Sequence, residues 1–317
     1  MNRHLRTLPI ILSLILPPLT SAQDWAKPML EKSPRHREYV TVTHDGRKVN
    51  TLVVYPETKG KAPVIVLIHE IFGVSDWFKL QADELAAEGY IVVAPDLTSG
   101  VGPNGGGTDA LFASGGQDAV VKGVTTLPEG QVTSDLDAVS DYGKKLPSAN
   151  GKLFVAGFCW GGGKSFAFAT HRADLSAAFV FYGPPPPAAE MAKINAPIYG
   201  FYGGNDARIG ATVPQAVADM KAAGKMYQPV TYEGAGHGFM RGGQAPDAKP
   251  ADKKAFNEGF ARLVRELKLR SMEGKSMKVS ISSRPKSAGQ HGSLTTVPVD
   301  CAAMHGAIKL PGYERST

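Results

Sequence analysis

Cys159, Asp206 and His237 occur in an order that could carry out acyl transfer, because a thiol nucleophile needs a base and the base needs an orienting carboxylate. Cys159 is the centre of Gly157-Phe158-Cys159-Trp160-Gly161, directly after an apolar, β-branched run that begins at Lys152. This G-x-C-x-G spacing reads as a nucleophile elbow, with sulfur in place of the usual serine hydroxyl. In such a strand-to-helix turn the nucleophile is strained and exposed, and the flanking glycines allow backbones to approach where a Cβ would clash. The sulfur would sit at the N-terminus of the next helix, where the helix dipole favours a thiolate. Gly163-Lys164-Ser165 ends like a phosphate loop. The glycine required five positions earlier is Phe158, however, and without that register the backbone N–H groups cannot converge on a phosphate.

These groups require a parallel sheet to position them. Residues 196–202, APIYGFY, read as a buried strand that runs into GGNDARI, so Asp206 falls in the turn at the strand's C-terminal end. Residues 228–232 read as a further strand, and the glycine-rich turn after it carries His237. Functional groups of open parallel sheets collect at that edge. Further strands are expected at 63–69, 90–94, 152–158 and 177–181, alternating with helices near 78–88, 132–145, 163–171, 214–223 and 252–268. Residues 38–54 read as an antiparallel hairpin around Asp45-Gly46. The alternation runs without a linker, so one α/β domain over residues 23–270 is expected, with a mostly parallel central sheet flanked by helices.

Several motifs in order give the pattern a family character: HEIFGV at 69–74, APDL at 94–97, GFCWGG at 157–162, GGNDARI at 203–209 and GHGFMR at 236–241. Over roughly residues 38–269 the chain resembles the dienelactone hydrolases, also called carboxymethylenebutenolidases, a branch of the α/β-hydrolases. The resemblance implies Cys159 as nucleophile, His237 as general base and acid, and Asp206 as the orienting carboxylate. It also implies that Glu70 lies near the nucleophile. A carboxylate there raises the thiol pKa by like-charge repulsion or takes the thiol proton. In the family the resting thiol is held protonated and released to the histidine once substrate displaces the glutamate. The fold supplies two backbone donors for an oxyanion, from the residue after the nucleophile and from the loop after the third strand. Those residues are Trp160 and Ile71.

One departure bears on substrate. The family holds a substrate carboxylate with two arginines. Arg241, four residues past His237, matches the second; where the first is expected, residues 98–107 read TSGVGPNGGG and contain no arginine. Either the substrate is a different ester or lactone, or Arg208 approaches from another side. No metal or cofactor is implied, and His36, His44, His171, His291 and His305 show no ligand spacing. A non-catalytic binding protein on the same fold is the alternative. A thiol redox protein is disfavoured by the absence of C-x-x-C.

The chain has 317 residues, 43% of them hydrophobic, which is ample for one large core. Residues 1–22 read as a signal peptide: Arg3 and Arg6, an apolar run over 8–19, then Thr20-Ser21-Ala22 before Gln23. That run is too short to span a bilayer, so export to a periplasm or the medium is expected, with no membrane association after cleavage. Residues 271–317 lose the periodic pattern, are rich in Ser, Gly, Lys and Pro, and read as a disordered tail. The net charge of +6 belongs mostly to these ends, which carry +2 and +3 and leave +1 for the domain. Nucleic acid is therefore not an expected partner; a small ester or lactone is. A disulfide between Cys159 and Cys301 would destroy the nucleophile and is not expected. The glycine-rich insertion at 98–130 reads as a mobile lid.

Overall fold

The computed structural model describes residues 24–273. The signal-peptide reading, Cys301 and the tail beyond residue 273 lie outside the described residues.

The hairpin forms as expected. Strands β1 (Arg37–His44) and β2 (Arg47–Val54) pair antiparallel, with Asp45 and Gly46 both at positive φ, the signature of the tight turn that matches strand twist. Six more strands follow among the described residues: β3 (Ala62–Ile68), β4 (Ile91–Pro95), β5 (Ala149–Phe158), β6 (Ala177–Phe181), β7 (Ile198–Gly203) and β8 (Tyr227–Tyr232). The sheet order is β1-β2-β4-β3-β5-β6-β7-β8; β2 meets β4 antiparallel, and every pair from β4 to β8 is parallel. The central parallel strands are covered on both faces, which explains the nearly continuous apolar runs of β3, β4, β6 and β7, while β8 at the sheet edge is largely exposed.

Successive side chains of β3 divide between two cores. Ile65 and Leu67 join a cluster with Trp77 and Phe78 of helix α1 (Asp76–Ala87), while Val64, Val66 and Ile68 join the other. Helix α2 spans Thr108–Thr125, and α3 (Glu129–Lys145), α4 (Trp160–His171) and α5 (Val213–Ala222) contribute to the second core through Leu136, Phe166 and Met220. Helix α6 (Pro250–Met272) packs Leu263 and Leu267 into the first core and runs four residues past the helix end expected at 268, two past the expected domain boundary at 270.

The insertion at 98–130 is not a loose loop. Buried Asp96 accepts hydrogen bonds from Thr98 Oγ1 at 2.6 Å and from the backbone N–H of Thr108 at 2.7 Å, which anchors the start of α2. Leu111, Val120 and Val124 then form a small core against Trp160. Several glycines here serve packing. A Cβ at Gly107 would fall 2.2 Å from Asp96 Oδ2, and one at Gly123 would fall 2.7 Å from Leu111. Gly116, at φ 64°, interrupts the helix.

Candidate active site

Strand β5 ends in the elbow anticipated from sequence. Cys159 has φ 56° and ψ −115°, a conformation unfavourable for a residue with a side chain and found where surrounding structure enforces it. That enforcement is visible at the two glycines. A Cβ on Gly157 would lie 2.0 Å from the Gly161 carbonyl oxygen, and one on Gly161 would lie 2.4 Å from that of His69. The elbow and the end of β3 are thus in backbone contact that only glycine allows.

The turns after β7 and β8 bring the other two groups to the sulfur. Asp206 caps the short helix Ala207–Gly210, its Oδ1 accepting from the Ile209 N–H at 3.3 Å. Its Oδ2 lies 2.5 Å from His237 Nδ1, and His237 Nε2 lies 3.1 Å from Cys159 Sγ. The loop carrying His237 is tied to α6, where Asp252 Oδ1 accepts from the Gly236 N–H at 2.8 Å. With Nδ1–H donating to the carboxylate, Nε2 has a lone pair free to accept the thiol proton.

The thiol is held in its neutral form. Its pKa is pushed up to about 11, chiefly by burial and next by the charge of Glu70. The helix N-terminus was expected to favour the thiolate. The backbone N–H groups of Trp160 and Ile71 do face the sulfur and act in that direction, as does the charge of Arg208, but desolvation and Glu70 outweigh them.

Glu70 is buried, only 3% exposed, just past the end of β3. Its Oε2 accepts from Arg241 Nε at 2.9 Å and its Oε1 from the Tyr182 hydroxyl at 3.2 Å. Arg241 therefore stands at the site, but with one edge committed to Glu70 and its guanidinium 4.9 Å above the Phe72 ring. Arg208 lines the same cavity, about 410 Å³ in volume, together with Cys159, His237 and Arg241. That volume suits a small organic molecule. Residues 98–107 contribute nothing to the lining, so no residue of that stretch stands in for the expected first arginine.

Tyr182 was not singled out from sequence. It follows β6 directly, has φ 39°, is fully buried, and meets the His237 ring edge-on at 5.0 Å. Its position at a strand's C-terminal end, the edge where the other groups lie, was the available signal. Phe72 and Pro184 also line the cavity and carried no comparable cue.

Known proteins are similar to this chain in sequence and architecture. A sequence model described as the dienelactone hydrolase family matches residues 49–268. A Methylorubrum extorquens protein provisionally named carboxymethylenebutenolidase is 34% identical over 58% of this chain, which spans 65% of that protein's length. A Yersinia pestis protein with the same provisional name is 31% identical over 72% of this chain and 86% of its own. A crystal structure from Klebsiella pneumoniae, provisionally named a dienelactone hydrolase, superposes with a TM-score of 0.61 at 25% identity, covering 73% of this chain and 97% of that one. The fold is the α/β-hydrolase fold, and proteins of this family are hydrolases of lactones and esters. The chain belongs to the dienelactone hydrolase family.

Proposed function

We propose that this protein hydrolyses a small ester or lactone through a thioester on Cys159. The observation that carries the reading is the unbroken relay from Sγ through His237 to Asp206, at 3.1 Å and 2.5 Å, beside a cavity of substrate size. In the first step the thiol proton passes to His237 Nε2 as sulfur bonds to the substrate carbonyl carbon. The oxyanion forms opposite the N–H groups of Trp160 and Ile71. Collapse breaks the carbon–oxygen bond, and the imidazolium delivers its proton to the leaving alkoxide. Water then adds to the thioester, giving its proton to Nε2, and the sulfur leaves and is reprotonated by the imidazolium. Asp206 holds the ring in the tautomer this sequence requires.

Burial and the charge of Glu70 give the site a resting state with a neutral thiol. A substrate anion that engages Arg241 competes with Glu70, and Arg208 offers a second guanidinium in the place of the missing family arginine. A silent thiol suits an exported enzyme, since oxidants react with the thiolate. Export itself rests on the N-terminal sequence. The test is turnover of activated esters and small lactones by the purified protein and by Cys159→Ala. Turnover by the first alone supports the reading. Turnover by both assigns the nucleophile elsewhere, and ligand binding without turnover by either supports a binding protein.

A further inference from the structure

His69 follows the last residue of β3, is completely buried, and takes no part in the relay. Its Nδ1 lies 2.7 Å from the carbonyl oxygen of Glu70. A carbonyl can only accept, so Nδ1 carries the proton and Nε2 presents a lone pair, which no donor meets among the described residues. Burial lowers the ring's pKa, in keeping with a neutral imidazole. The ring is stacked on Trp160, with centroids 5.5 Å apart and planes 12° from parallel.

Both contacts lead to the donors that face the sulfur. The Glu70 carbonyl and the Ile71 N–H are the two ends of one planar trans peptide and point in opposite directions. A hydrogen bond that fixes the carbonyl therefore fixes the N–H on the other side. The carbonyl also accepts from the Gly73 N–H at 3.2 Å, which closes the turn; the His69 bond is the shorter. The stack, meanwhile, braces the residue that supplies the other N–H. Packing alone gives no reason for an imidazole here, since a phenyl ring would stack equally well and leave no unmatched buried acceptor.

We propose that His69 is a positioning residue for the oxyanion pair: its neutral ring holds the Glu70–Ile71 peptide with the N–H turned towards Cys159 and braces Trp160 alongside. The proposal rests on the hydrolase reading for its effect on turnover, but its effect on the thiol does not. Losing a donor to the sulfur disfavours the thiolate whether or not the protein turns over an ester.

The test compares His69→Phe, which keeps a stacking ring and loses the donor, with His69→Asn, whose Nδ2–H occupies the same place along the side chain as Nδ1–H. Each is assayed for kcat and KM on an activated ester and for the rate of Cys159 alkylation by iodoacetamide at a fixed pH, with folding checked by thermal unfolding. His69→Phe should lower kcat roughly tenfold to a hundredfold with KM little changed, less than or equal to the loss of a whole oxyanion donor. It should also slow alkylation several-fold, while His69→Asn stays within about threefold of wild type in both. If the Phe protein fails to fold, His69→Leu serves as the variant without a donor. A packing role reverses the order, with Phe near wild type and Asn impaired, and that order overturns the proposal. Alkylation of the donorless variant at the wild-type rate also overturns it. A wild-type protein that turns over no ester would refute the hydrolase reading, and the alkylation comparison would still decide the role of His69.

Discussion

Replacing Glu70 by Gln removes a buried negative charge near the Cys159 thiol with little change in side-chain shape. The thiol pKa stands at about 11 against a reference of 9.0, with burial the first cause and Glu70 the second. Burial persists in the variant, so the pKa should fall by about one unit and remain above the reference. An amide oxygen can still accept from Arg241 Nε but carries no charge to neutralise it, and the uncompensated guanidinium pushes in the same direction. Near neutral pH, far below the pKa, each unit lost multiplies the thiolate fraction tenfold, so alkylation by iodoacetamide should accelerate roughly tenfold. The sign is definite: removing a negative neighbour makes the charged thiol less costly. Breaking the pair with Arg241, which is 27% exposed, should also lower stability by about 1–3 kcal/mol, below the cost of breaking a fully buried pair. The assay is the pseudo-first-order alkylation rate as a function of pH, followed by intact mass. An unchanged or slower rate in a folded Glu70→Gln protein would show that the Glu70 charge does not govern the thiol.

Asp206→Asn should keep the fold and lose about 10²–10⁴-fold in kcat, because the amide no longer fixes the His237 tautomer; a wild-type rate removes Asp206 from the relay. Gly161→Ala should destabilise the protein by about 3 kcal/mol in urea unfolding, since its Cβ would lie 2.4 Å from the His69 carbonyl oxygen. At Gly130, where nothing lies within 4 Å, the same change should be tolerated, and equal tolerance at both positions would refute the close approach of the elbow to β3. If residues 1–22 are a signal peptide, N-terminal sequencing of exported protein should begin at Gln23; an intact N-terminus on exported protein contradicts that reading.

The parts of the site that could be read from sequence are those encoded locally. Gly157 and Gly161 flank Cys159 within one turn of chain, and their predicted function, letting backbones touch, is what the 2.0 Å and 2.4 Å approaches require. Asp206 and His237 were legible because each follows a segment that reads as a strand, and parallel strands present such ends at one edge. The pairing of Glu70 with Arg241 spans 171 positions and leaves no local signal. The raised thiol pKa was expected only through Glu70 and the family resemblance; its larger cause, desolvation, depends on the whole fold, whereas the helix N-terminus visible in sequence pointed the other way. Residues 98–130 misled because glycine was read as a sign of mobility. At Gly107 and Gly123 it instead makes room for Asp96 and Leu111.

The proposed reaction passes through an acyl group on Cys159. Mixing the protein with a slowly deacylated activated ester, quenching in acid and mapping peptides by mass should find the acyl mass on the peptide containing Cys159, as a hydroxylamine-labile thioester, and no acyl mass on the Cys159→Ala protein. An acyl group on any other residue, or ester turnover that persists in Cys159→Ala, would rule out a thioester on Cys159.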